Sequence, residues 1–117
     1  MLIEVLKSKI HRAKVTDANL DYEGSFSIDK SVMKNAGIFP FEAVEIYNIT
    51  NGSRIKTYAI EGKKGEFCAN GAAAHHIKKG DIVIICAYAH IELKKQKKHK
   101  PVIIQMDKKN DSQRKGC

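Results

Sequence analysis

Two cationic side chains and a phenol stand in this sequence where strand alternation could bring them to one anion. Side chains two or four apart in a strand share a face. Lys9 and His11 therefore point one way from an early apolar stretch, and Arg54 and Tyr58 share a face of a later one. An arginine pairs with a carboxylate through its planar fork, and a lysine adds a compact point charge. A phenol keeps its proton at neutral pH and can serve as a general acid. Each also has an ordinary role, Arg54 as a surface arginine beside a turn and Tyr58 as a half-buried strand aromatic. Gly24-Ser25, taken alone, reads as a turn. His75-His76 raises the question of a metal, but adjacent positions rarely converge on one ion and no carboxylate or cysteine accompanies them. No metal site is expected.

The elements that must position these residues are short. Leu2-Ile3, Val5-Leu6 and the run from Ile10 to Val15 are broken by charges in the manner of one or two strands. Tyr22-Glu23-Gly24-Ser25 makes a tight turn into a brief strand over residues 26–28. Asp29 is a candidate N-cap for a short helix through Asn35 that Gly37 ends. Residues 44–50 and 53–60 are β-rich, and Asn51-Gly52 between them predicts a two-residue type I′ hairpin. A turn from Gly62 to Gly65 leads into a strand ending near Ala69, and Asn70-Gly71 opens the small-residue run Ala72-Ala73-Ala74-His75-His76, a helical turn. Gly80-Asp81 introduces a buried strand over residues 82–89, and Val102–Met106 is the last strand candidate. Roughly six or seven short strands with two short helical pieces favour a compact β-barrel.

A chain of 117 residues has room for one domain around one core. With 43% hydrophobic and 29% charged residues it is expected to fold rather than stay disordered. No apolar run approaches the ~20 residues that span a bilayer, and the N-terminus is too short and too charged for a secretory signal. The expected location is the cytoplasm, with no membrane partner. Cys68, Cys86 and Cys117 form no CxxC spacing, so neither a disulfide framework nor a zinc site is expected. Lys and Arg outnumber Asp and Glu by 21 to 13, for a net charge of +8, which raises an alternative: a small basic DNA-binding β-barrel. The excess lies in Lys94, Lys95, Lys97, Lys98 and Lys100 and in Lys108, Lys109, Arg114 and Lys115, with no aromatics interleaved for base stacking. That pattern reads as a solvated, partly mobile basic edge, and no nucleic-acid partner is expected.

The order of motifs narrows the function. Ser8-Lys9-Ile10-His11-Arg12, Tyr22 to Ser25, Asn51-Gly52 to Tyr58, Asn70 to His75 and Gly80 to Ile85 together resemble the aspartate 1-decarboxylase family, over residues 1–90 or so. The resemblance implies a six-stranded double-psi β-barrel with short helices, assembled as a homotetramer with active sites between subunits. It implies conversion of L-aspartate to β-alanine and carbon dioxide, the step that feeds pantothenate and coenzyme A synthesis. The chain would cut itself between Gly24 and Ser25 into residues 1–24 and 25–117, and Ser25 would become a covalent pyruvoyl group. Glycine at position 24 has no Cβ, so the linkage can take a strained geometry and the Ser25 hydroxyl can approach the Gly24 carbonyl. The acyl group then moves from nitrogen to oxygen, the ester eliminates across the Cα–Cβ bond, and the resulting dehydroalanine hydrolyses with loss of ammonia. A pyruvoyl ketone forms a Schiff base with the substrate amine and draws off the electrons released with carbon dioxide.

By the same resemblance Tyr58 is the proton donor, and Thr57 serves both self-processing and substrate binding. Lys9, Arg54, Gly71, Ala72 and Ala73 bind the substrate, and His11, Tyr22 and Asn70 support the site. Small side chains at positions 71 to 73 permit close approach, and N–H groups at the start of a helical turn can hold an anion. Alternation sets Thr57 on the opposite face from Tyr58, so a twist, a bulge or a shared subunit interface is expected there. The chain departs from the family's pattern in a shorter turn before Asn70 and in lysines at positions 94–100, where many members are more acidic.

Overall fold

The computed structural model describes residues 1–107 and Asn110, and the backbone of a final strand, Ser112–Lys115. Lys108, Lys109 and Cys117 lie outside the described residues. The strands are β1 (Leu2–Lys14), β2 (Asp17–Asn19), β3 (Ser25–Asp29), β4 (Ala43–Asn48), β5 (Arg54–Gly62), β6 (Phe67–Asn70), β7 (Ile82–Glu92), β8 (Val102–Met106) and β9 (Ser112–Lys115). One α-helix, α1 (Lys30–Ala36), follows β3, and two 3₁₀ turns, Gly71–His75 and Leu93–Lys98, follow β6 and β7.

The strands form one sheet in the order β2-β6-β3-β5-β4-β7-β1-β8-β9. Consecutive strands β1 and β2 lie toward opposite ends of that order, with two residues between them, so the sheet must curl until its ends meet. The passage from β1 to β2 is bonded on both sides. Thr16 N–H donates to Phe67 O at 2.8 Å, Phe67 N–H donates to Thr16 Oγ1 at 2.9 Å, and Val15 N–H donates to Asp81 O at 2.8 Å. Inside sit fully buried Ile10, Phe26, Ile46, Phe67, Ile85 and Ile104, contributed alternately by strands from all sides. This is the expected β-barrel with short helices. Its nine strands exceed the six main ones anticipated because β2, β6 and β9 are pieces of three or four residues. No helix among the described residues is long and apolar enough to cross a membrane.

Local signals in the sequence set several boundaries. The Asp29 carboxylate accepts from the N–H groups of Ser31 at 2.9 Å and Val32 at 3.3 Å, which starts α1 where predicted. Gly37 adopts φ +73° and its N–H returns to the Lys34 carbonyl, which ends it. The hairpin prediction needs correction. Strands β4 and β5 are joined by a five-residue loop, residues 49–53, closed by Asn48 N–H to Ser53 O and Gly52 N–H to Asn48 O. Gly52 takes φ +79°, but Asn51 does not take a positive φ, so the turn is not type I′. The cause is tertiary: Ile49 N–H reaches Ile82 O and Asn51 Nδ2 reaches His76 O, and these bonds hold the loop open toward β7. The 3₁₀ turn Leu93–Lys98 is exposed along its length, in keeping with a solvated basic edge.

Candidate active site

The Gly24-Ser25 linkage sits where the exposed turn at residues 21–24 enters the buried strand β3. Ser25 is the first residue of β3 and only 3% exposed, and its antiparallel partner across β6 is Asn70. Asn70 Nδ2 donates to Ser25 Oγ at 3.0 Å, and the serine hydroxyl donates to Glu23 O at a long 3.4 Å. Ser25 thus has a nucleophilic oxygen held by a donor, next to the carbonyl it would attack.

The structure moves the special glycine conformation from position 24 to position 71. Gly24 is not in the left-handed region, and a Cβ there would meet nothing within 4 Å. Gly71 has φ +63°, and a Cβ on it would lie 2.7 Å from Gly24 N, 2.8 Å from Gly24 Cα and 2.8 Å from Tyr22 O. Only a residue without a side chain lets the backbone after β6 close over the linkage. A covalent group formed at Ser25 fits this cradle, which is buried, flanked by a hydrogen-bond donor and kept free of side chains.

A cleft of about 270 Å³ opens beside Gly24 and is lined by Ile55, Lys56, Thr57, Ala72, Ala73 and His76. Thr57, Ala72 and Ala73 therefore lie with Gly24 on one cleft. The β4–β5 loop holds the Gly71–His75 turn in place. Asn48 Nδ2, Asn51 Nδ2 and Ser53 Oγ all donate to the carbonyl of His76, at 3.1, 2.9 and 3.1 Å. Tyr22 is 66% exposed and lines a second cavity with Ser27, Cys68 and Asn70 on the other side of β6.

Lys9, Arg54 and Tyr58 do not line the cleft beside Gly24. Lys9 and His11 share a face as alternation requires, since β1 runs in unbroken parallel register with β8 from Ser8↔Val102 to His11↔Gln105, with the alternate residues Ser8 and Ile10 buried. Lys9 pairs with Cys86 of β7; burial pushes that thiol's pKa up, against the pull of the lysine charge. Arg54 stacks its guanidinium 4.5 Å above the Tyr47 ring, and the Tyr47 hydroxyl is hydrogen-bonded to that of Tyr88 at 2.7 Å. The bond to Tyr47, with burial, raises Tyr88 above the usual tyrosine range. Tyr58 packs against Phe41, ring centroids 6.2 Å apart. No bulge reconciles Thr57 with Tyr58. The β4–β5 register runs without a shift from Ala43↔Tyr58 to Tyr47↔Arg54, so the two side chains face opposite ways within one chain.

Sequence reasoning missed Cys68, Ser27, Tyr47 and Tyr88 as neighbours of site residues. Cys68 and Ser27 come near through the pairing of β6 with β3, and Tyr88 through that of β4 with β7, which no spacing in the chain announces; Tyr47 faces Arg54 across the β4–β5 hairpin that the sequence did announce.

Residues 1–113 match the family model described as aspartate decarboxylase. Proteins named aspartate 1-decarboxylase are similar along most of the chain. That of Campylobacter concisus is 55% identical over 111 residues, 95% of this chain and 96% of its own. That of Bdellovibrio bacteriovorus is 52% identical over 110 residues, 94% and 89%. That of Caldicellulosiruptor bescii is 52% identical over 112 residues, 94% and 88%.

Proposed function

The chain belongs to the aspartate decarboxylase family, and from that premise we propose that it cuts itself at Gly24-Ser25 and decarboxylates L-aspartate to β-alanine, feeding pantothenate synthesis. The observation that carries the reading is the cradle around Ser25: Asn70 Nδ2 at 3.0 Å from its oxygen and Gly71 closed over the Gly24 backbone.

In the cutting step Ser25 Oγ bonds to the Gly24 carbonyl carbon as the carbon–nitrogen bond breaks, and the hydroxyl proton passes to the freed amine. The Asn70 N–H supports the oxygen as it gains charge, and Thr57, on the cleft wall beside Gly24, steadies the carbonyl oxygen. Loss of the Cα proton of Ser25 expels the Gly24 carboxylate, one water enters and one ammonia leaves. The pyruvoyl group so made supplies the ketone that engages the substrate amine and accepts the electrons released with carbon dioxide.

The remaining work falls to side chains. Arg54 holds a substrate carboxylate through its fork, with Lys9 as a second positive charge. The small residues Gly71, Ala72 and Ala73 let the substrate approach the backbone, and Tyr58 returns a proton to the carbon that lost carbon dioxide. Lys9, Arg54 and Tyr58 lie off the Gly24 cleft, and Tyr58 faces away from Thr57, so we infer that neighbouring subunits of a homotetramer complete each site. The reading is tested by incubating purified protein with L-aspartate and following β-alanine by chromatography. Product from the natural chain and none from the Ser25→Ala variant is expected; equal rates would overturn it.

A further inference from the structure

The Asn70 amide that meets Ser25 is itself held from its far side. Its Nδ2 donates to Ser25 Oγ and to Ser27 Oγ, both at 3.0 Å, so its two N–H bonds are used on two serines. Its Oδ1 accepts from the thiol of Cys68 at 3.3 Å, a shorter contact than the 3.8 Å from that sulfur to Ala69 O. Ser25, Ser27, Cys68 and Asn70 are only 3% to 6% exposed, and the last three border the cavity beside Tyr22.

An amide has a donor end and an acceptor end of nearly the same shape, and its partners decide which way it turns. With nitrogen toward Ser25, an N–H supports the oxygen as it becomes a nucleophile. Turned over, the carbonyl would face that oxygen, take the serine proton as a hydrogen bond and repel the charge left on the oxygen as its proton departs. The serine hydroxyls satisfy either orientation, because a hydroxyl donates and accepts. The thiol weights the choice: with Oδ1 toward it the S–H donates at 3.3 Å, whereas with the amide turned over the sulfur offers only a weak acceptor.

We propose that Cys68 is a positioning residue for self-cleavage, whose S–H fixes the Asn70 amide with its nitrogen toward Ser25. This rests on the self-cleavage reading above. The donor role requires a protonated thiol, and burial followed by the carboxylates of Asp17 and Glu66 pushes the Cys68 pKa up, which keeps the proton in place.

The test uses full-length chains made by cell-free synthesis, with conversion into fragments 1–24 and 25–117 followed over time by denaturing mass spectrometry. Cys68→Ala is expected to slow cleavage about tenfold, the scale of one buried hydrogen bond. Cys68→Ser, whose hydroxyl can donate to Oδ1 but can also accept, recovers part of that loss and cuts faster than Cys68→Ala, a rescue that a packing role would not give. Thermal unfolding verifies that each variant folds, and Cys68→Val replaces Cys68→Ala if the smaller side chain does not. A folded Cys68→Ala or Cys68→Val chain cutting at the natural rate, or Cys68→Ser cutting as slowly as they do, overturns the inference alone. A natural chain that stays whole overturns the self-cleavage reading together with it.

Discussion

Gly71→Ala separates the local geometry of the cleavage site from the stability of the barrel. A non-glycine residue at φ +63° costs roughly 1–2 kcal/mol in backbone strain. The added methyl would also stand 2.7 and 2.8 Å from Gly24 N and Cα and 2.8 Å from Tyr22 O, all backbone atoms that no rotamer change can clear. Forced overpacking of this kind costs about 1–3 kcal/mol where nothing yields. Here the turn at residues 21–24 is exposed and can yield, so the expected net loss is about 1–2 kcal/mol, or roughly 3–10 °C in Tm. The movement that relieves the clash shifts the Gly24 carbonyl away from Ser25 Oγ. Misplacement of reacting atoms by ~1 Å costs about a hundredfold in rate, so self-cleavage should slow by at least that factor. Gly52→Ala is the control, with φ +79° but open space around the new methyl. It should lower Tm by a comparable amount and cut at close to the natural rate. Both are read by denaturing mass spectrometry against time, beside a melting curve. Should Gly71→Ala cut as fast as Gly52→Ala, the close approach of Gly71 to Gly24 has no part in the chemistry.

Three further outcomes are expected. Arg54→Lys keeps the charge but loses the fork and the stacking on Tyr47, so KM for aspartate should rise about tenfold or more with self-cleavage unchanged, measured by steady-state β-alanine formation. Tyr58→Phe should cut normally and lose about a hundredfold or more in kcat, since only the proton donor is removed; a kcat within twofold of the natural enzyme would exclude Tyr58 from that role. Burial raises the Asp29 carboxyl, but bonds from Gly65 N–H, Ser31 Oγ and the N–H groups of Val32 and Ser31 outweigh it and hold the pKa below the ordinary value of 3.8. A depressed folded value means that the contribution is full above about pH 4 and is lost as pH falls through the folded pKa. Urea unfolding at graded acid pH should therefore show a steeper acid-side loss for the natural chain than for Asp29→Asn.

Features whose signals are local were legible in the sequence. Asp29 and Gly37 bracket α1 because capping needs only residues a turn apart, and Val102–Met106 forms a strand because its apolar run matches the strand period. Asn51-Gly52 misled because its favoured turn competes with bonds to His76 and Ile82, distant in sequence. β9 carried no apolar signal at all. At the site, motif order brought Gly24, Ser25, Asn70 and Gly71 into one reading, and β3–β6 pairing joins them. Alternation correctly set Thr57 against Tyr58, and the unbroken register leaves that opposition in place. The Cys68 contact with Asn70 was not legible, because a thiol in an apolar strand has the same sequence signature whether it packs or donates.

The central claim is that a serine hydroxyl breaks the backbone beside it and leaves a ketone. Intact-mass measurement of freshly purified protein in denaturant, with and without a hydrazide reagent, tests it directly. Two chains divided after Gly24 are expected, the larger one beginning with a carbonyl that takes up the reagent. A single whole chain that takes up no reagent and still releases carbon dioxide from aspartate would contradict it.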